Sequence, residues 1–216
     1  MKVLLTGATG MIGGLILRQC LVDSRVTSVV SLVRRASGVS YEKLQEVVVK
    51  DFMDLAPHQA ALQGVDVVFY CLGAYTGVVS RDTLHQVTVD YPIVLSNILE
   101  NSDVVRFCLL SGMGADRTMQ ARASFAKDKG EVEAALSARH HEFHAFRPGY
   151  IYPVQKRREP NVMYRISRAL YPLFRLFGNN FSIKSTELAS VMFKVGIDGH
   201  KDEVMENKDM LALLSV

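Results

Sequence analysis

The sequence predicts an α/β fold, a doubly wound parallel sheet with a small C-terminal lobe. Short β-branched runs alternate with helix-like segments as far as Arg147, the rhythm of successive βαβ units. Several of those runs are almost wholly apolar, as strands covered by helices on both faces must be. The length of 216 residues suits a single generous domain.

Lys2–Thr6 carries Val3, Leu4 and Leu5 into a glycine turn and reads as the first strand. Met11–Val22 follows as an amphipathic helix, and Ser28–Val33 as the second strand. Glu46–Lys50, Val65–Cys71, Arg106–Ser111 and Glu142–Arg147 supply further strands. Helices over Arg81–Asn101 and Ala121–Ala138 connect the later ones, and the second is rich in the strong helix formers Ala, Glu and Lys. Beyond Pro148 the rhythm breaks: Gly149–Pro160 reads as loop and Met163–Phe177 as helix. A helix from about Thr186 to Val195 and a strand at Glu203–Glu206 come next. Residues 149–216 are too few for a core of their own, so 1–216 is expected to be one domain with a substrate-side lobe at its end.

A hydrophobic fraction of 49% with 22% charged residues excludes a disordered chain, a collagen-like chain and a coiled coil. A net charge of +3 gives no reason to expect nucleic acid, but it suits a phosphorylated small ligand. The three cysteines, Cys20, Cys71 and Cys108, form no CxxC pair, which argues against a disulfide framework or a zinc site. Glycines arrive before any signal-peptide-like apolar region, and the longest apolar stretch, near Val65–Ala74, is too short to cross a bilayer. A cytoplasmic protein is therefore expected.

The strongest motif is Thr6-Gly7-Ala8-Thr9-Gly10-Met11-Ile12-Gly13, directly after the first strand. Glycine at the first position permits a tight turn, and at the second it lets the backbone approach a pyrophosphate. At the third it lets helix and sheet pack closely, while the helix N-terminus faces the phosphate charge. In this strand–loop–helix context, Gly7, Thr9, Gly10, Met11, Ile12 and Gly13 are expected to hold a dinucleotide on a Rossmann fold. The second strand ends in Val33-Arg34-Arg35 rather than in an acid. A carboxylate would repel a 2′-phosphate, whereas Arg34 and Arg35 would hold one, so NADP(H) is the expected cofactor.

These residues resemble the short-chain dehydrogenase/reductase superfamily, in its atypical branch with TGATGxIG loops, and within it the Tat-interacting-protein-like oxidoreductases. Asp51-Phe52, Cys71-Leu72-Gly73-Ala74, Leu110-Ser111, Lys129-Gly130-Glu131-Val132-Glu133 and Phe146-Arg147-Pro148-Gly149 continue the resemblance over nearly the whole chain. It implies that Asp51 and Phe52 border the adenine and that Cys71, Leu72, Gly73 and Ala74 lie along ribose and pyrophosphate. It also implies that Pro148, Gly149, Tyr150 and Ile151 line the nicotinamide.

In that superfamily a Ser, a Tyr and a Lys four residues after the Tyr carry the chemistry. Ser111 and Lys129 are in register as catalytic residues, and the resemblance implies that Lys129 also binds the cofactor at the nicotinamide ribose; but the Tyr position holds Phe125, which has no proton to give. A commonly present active-site asparagine is replaced by Thr88. Three explanations stand open. The protein binds NADP(H) without much chemistry; or Tyr75, Tyr150 or Tyr152 supplies the proton; or the acceptor is quinone- or flavin-like and takes its proton from solvent.

Other signals carry less. His140, His141 and His144 span a helix–strand join where side chains diverge, so no metal is expected. Cys71 and Cys108 read as buried, inert thiols, and Met113 and Met119 as either pocket lining or surface. Lys156–Arg175 is basic and amphipathic; a lid helix is preferred over peripheral membrane contact through 156–177. The functional expectation is an NADP(H)-binding oxidoreductase-like protein acting on an unidentified small carbonyl or quinone-like compound, as a monomer or homodimer. The alternative is a non-catalytic NADP(H)-responsive regulator or scaffold. A sugar-nucleotide epimerase ranks third, because the C-terminal lobe is short for a nucleotide sugar.

Overall fold

A computed structural model describes residues 1–74, 77–99, 106–140, 142–155 and 181–215. The chain opens with β1 (Lys2–Thr6), α1 (Gly13–Val22), β2 (Ser28–Val33) and β3 (Leu44–Val48). A 3₁₀ turn at Ala56–His58 leads into the short α2 (Gln59–Leu62) and then β4 (Val67–Tyr70). Next come α3 (Arg81–His85), a π-helical turn at Gln86–Asp90, α4 (Tyr91–Leu99), β5 (Arg106–Leu110), α5 (Ser124–Ser137) and β6 (Glu142–Arg147). The last part holds β7 (Tyr150–Tyr152), β8 (Ser182–Lys184), α6 (Ser185–Asp198), β9 (Val204–Glu206) and α7 (Asn207–Ala212).

Seven strands pair in parallel in the order β3-β2-β1-β4-β5-β6-β9. From β1 the chain winds outward through β2 and β3, then returns to build the other side from β4. That reversal opens a crevice beyond the carboxyl ends of β1 and β4. Register puts Val3 opposite both Val29 and Val67. Alternate side chains serve opposite faces of the sheet. Val3, Leu5, Val67 and Phe69 pack under α1 and α6, while Leu4, Val68, Tyr70 and Leu109 pack with Leu95 of α4 and Val132 of α5.

The segment after residue 149 shares the main core in its described part. Ile183, Leu188, Met192, Met205 and Met210 belong to the same buried cluster as Val3 and Ile16, and β9 extends the main sheet beside β6. What stands apart is the two-stranded parallel pair β7–β8. Tyr150–Tyr152 is therefore strand where the sequence reads as loop; three residues are too few to display an alternation. Met163–Phe177, with the whole basic stretch, lies outside the described residues.

Other differences have local causes. Helix α1 starts at Gly13 rather than Met11, because the preceding residues form the glycine turn. Strand β3 sits two residues earlier than expected, and α5 starts at Ser124 rather than Ala121. The expected continuous helix from Arg81 is interrupted by the π-helical turn, where the Tyr70 hydroxyl donates to the Val87 carbonyl at 2.8 Å. Helices α2 and α7 are too short to show periodicity. Among the described residues no helix is long and apolar enough to cross a membrane.

Candidate active site

Backbone builds one end of the site. Gly7 has a φ of +74°, and a Cβ there would lie 2.6 Å from the Cys71 carbonyl oxygen. A Cβ on Gly13 would lie 2.2 Å from the Gly7 carbonyl oxygen, so the first turn of α1 presses directly on the loop. The Gly10 amide closes the turn onto Gly7 O at 2.8 Å, and the Thr6 hydroxyl accepts the Cys71 amide at 3.1 Å. No side chain caps α1 and no acid occupies its first turn, which leaves its N-terminal dipole to an anion.

Beside the loop opens a cleft of about 530 Å³. Gly10, Met11 and Ile12 form one wall, and Cys71, Leu72, Gly73 and Ala74 a second. Ser111 and Lys129 also line it, as do Pro148, Gly149, Tyr150 and Ile151. Five separate stretches of sequence thus line one cleft. Gly7 and Gly13 support the loop, and Thr9 is exposed on it. Arg34 and Arg35 are exposed just past β2, and Asp51 is exposed past β3. Phe52, by contrast, is only 5% exposed and stacks on Tyr91, centroids 5.4 Å apart, so its ring belongs mainly to the core.

Phe125 lines the cleft at the Tyr position and is 39% exposed. Its ring covers Gly112, where a Cβ would meet it at 2.9 Å. Lys129, one turn further along α5, donates from Nζ to the Leu110 carbonyl at 3.0 Å. Burial pushes the Lys129 ammonium down to about 8, against the opposing pull of Glu133 and Asp128. Thr88 is buried in the π-helical turn. Tyr150 lines the cleft, Tyr152 is not among its wall residues, and Tyr75 lies outside the described residues.

Behind Ser111 lies a charge network that pattern reading missed. Glu133 is fully buried. Its Oε1 accepts Ser111 Oγ at 2.5 Å and Arg147 Nε at 3.0 Å. Its Oε2 accepts Arg147 Nη2 at 2.6 Å and Arg117 Nε at 3.1 Å. Burial alone would raise the Glu133 pKa, but the bonds from Arg147, Ser111 and Arg117 outweigh it and hold the carboxyl below its ordinary value. Arg147 reaches on to Glu206 at 3.0 Å and Arg117 to Glu203 at 2.6 Å. Glu133 and Arg147 both sit inside the motifs quoted above; only their pairing was invisible.

A family model described as NAD(P)H-binding matches residues 7–195. The chain belongs to the NAD(P)H-binding family. Protein HTATIP2 of Rattus norvegicus is 30% identical over 154 residues, which cover 69% of this chain and 62% of that protein. The chain therefore spans less than two thirds of that relative's length. Among solved structures, the PhqB reductase domain from Penicillium fellutanum is similar, with a TM-score of 0.71 and 20% identity over 95% of this chain and 66% of that one. The Bordetella bronchiseptica enzyme WbmH in complex with NAD⁺ gives a TM-score of 0.70 at 18% identity, covering 95% and 74%. Such likenesses show the fold; the family match adds the nicotinamide cofactor.

As a member of the NAD(P)H-binding family the protein has a cradle that fits this cofactor: a loop closed to any side chain at Gly7 and Gly13, an uncapped helix and an adjoining cleft. The histidines near β6 do not converge. His140 pairs with Ser96 at 2.8 Å, His144 with the Asp202 carbonyl at 3.0 Å, and His141 lies outside the described residues. A cluster the sequence did not suggest is His85, Asp128 and Glu131, whose ligand atoms lie within 4.8 Å of one another. Arg81 pairs with the buried Asp128 there at 2.6 Å, which makes it an ion-pair cluster joining α3 to α5. Burial pushes the Cys71 thiol well above its usual range, so it is no nucleophile although it lines the cleft.

Proposed function

We propose that the protein is an NADPH-dependent reductase of small, apolar carbonyl or quinone-like compounds, with Phe125 in place of the usual tyrosine. The observation that carries this is the convergence of Ser111, Phe125 and Lys129 on one cleft beside the glycine loop. Gly7, Gly10 and the N-terminus of α1 would hold the pyrophosphate, Arg34 and Arg35 the 2′-phosphate, and Pro148 to Ile151 the nicotinamide side. When bound, the cofactor supplies a hydride. Phe125, Met113, Ile151 and Pro153 would give the reacting end an apolar lining.

With no hydroxyl at position 125, a proton for the product oxygen must come from elsewhere. Lys129 Nζ, with a value near 8 and three protons of which one is on Leu110 O, is the cleft group best matched to hold and release it near neutral pH. The HTATIP2 likeness supports the same branch of the family. An NADPH-responsive regulator is the second reading, favoured by the inert ring of Phe125.

NADPH consumption with aldehydes, ketones and quinones, run for wild type and Phe125→Tyr side by side, separates the two. Turnover by wild type establishes the reductase. NADPH binding without turnover, with activity gained only by Phe125→Tyr, establishes the regulator.

A further inference from the structure

The bond between Ser111 and Glu133 decides what the serine can offer a ligand. A serine hydroxyl has one proton, and an ionised carboxylate is an acceptor only. Glu133 takes four donations: one from Ser111, two from Arg147 and one from Arg117. Two guanidinium groups on a buried carboxylate keep it anionic. The Ser111 proton is therefore committed to Glu133, and the hydroxyl oxygen keeps both lone pairs to accept from a ligand. The amides on either side of Gly112 are engaged: that of Ser111 bonds Phe146 O at 2.8 Å and that of Met113 bonds Pro148 O at 2.9 Å. Lys129 Nζ sits on the carbonyl of Leu110, next in sequence to Ser111, and keeps further protons free to donate.

We infer that Ser111 meets its ligand as a hydrogen-bond acceptor, with Lys129 as the adjoining donor, so that the cleft selects compounds presenting an N–H or O–H beside a carbonyl. This deepens the reductase reading and rests on it. The apolar side chains of Leu72, Phe125 and Pro153 in the cleft lining suit a planar frame around that edge, and a lactam or cyclic imide is the simplest such class. A carbonyl compound without the adjacent donor would leave the Ser111 lone pairs facing an acceptor or an alkyl group.

Isatin, a planar lactam with a neighbouring ketone, provides a matched set: isatin, 5-methylisatin, which keeps the N–H, and N-methylisatin, which loses it. Binding of each to the full chain is measured by calorimetry, with and without saturating NADPH. Isatin and 5-methylisatin are expected to bind about tenfold more tightly than N-methylisatin, the size of one hydrogen bond. In Ser111→Ala, checked for folding by thermal melt, all three affinities converge to within about twofold. Equal affinities in wild type, discrimination that survives Ser111→Ala, or no isatin binding overturns the assignment. NADPH consumption in the same samples tests the reading beneath it. Discrimination without consumption breaks the reductase and keeps the acceptor role of Ser111; consumption with equal affinities does the reverse.

Discussion

The two ends of the cleft are made of different material. The cofactor end is backbone: glycines at 7, 10 and 13, a helix terminus and a turn, with steric tolerances at Gly13 as small as 2.2 Å. The reacting end is side chain: Ser111, Phe125 and Lys129 in front of a buried carboxylate that is bound by two arginines. Backbone shape tolerates no substitution at its contact points but depends little on distant partners. The side-chain end depends instead on partners from other elements: Ser111 is held by Glu133, which Arg117 and Arg147 hold in turn. The cofactor end therefore rests on local backbone shape, and the other end on contacts between distant segments.

The largest effect expected is from the support of the reacting end. Glu133→Ala leaves Arg147 and Arg117 facing a buried void, and urea unfolding should show a loss of about 3–5 kcal/mol. At the cofactor end, Gly13→Ala forces a methyl onto Gly7 O. It should cost about 1–3 kcal/mol in the same assay, and NADPH titration should show binding lost with it. If Gly13→Ala binds normally, the contrast between local backbone shape and contacts between distant segments fails.

Lys129→Met should lower turnover about a hundredfold while NADPH binding survives. In wild type the rate should fall as pH rises through about 8, since the protonated ammonium is the active form. A flat profile from pH 7 to 9.5 would remove Lys129 from the proton path. Replacing Arg34 and Arg35 by Ala should weaken NADPH about tenfold and NADH by less than about twofold; equal losses would refute a 2′-phosphate site.

The smallest effect is acid sensitivity. Glu133 has a folded value below its ordinary 4.5, so its contribution to stability is whole above that pH and is lost as pH falls through the folded value. Glu133→Gln should flatten this slope in thermal melts below about pH 5.

Much of the fold was legible. β1, β2 and β6 fall on the residues expected, β1 and β2 because each is a largely apolar run set off by turns, and β6 through Phe143, Ala145 and Phe146. Parallel strands buried on both faces announce themselves this way. The elements that were not legible are short or irregular. The π-helical turn at Gln86–Asp90 leaves no periodic trace, and the pairing of Tyr150–Tyr152 with Ser182–Lys184 joins segments far apart in sequence. At the site, Ser111 and Lys129 were singled out by the family resemblance, and both line the cleft that Phe125 also lines.

Sequence alone determined the glycine loop, the parallel sheet and the absence of a tyrosine at position 125. Each is local: a turn sterically open only to glycine, a strand buried on two faces, a side chain without a hydroxyl. Only the tertiary structure decided that Phe52 turns into the core and that Ser111 is bound to Glu133. It alone also showed that Arg147 and Arg117 share that carboxylate. Those are contacts between elements, and a buried charge is tolerable only where its partners arrive from elsewhere in the chain.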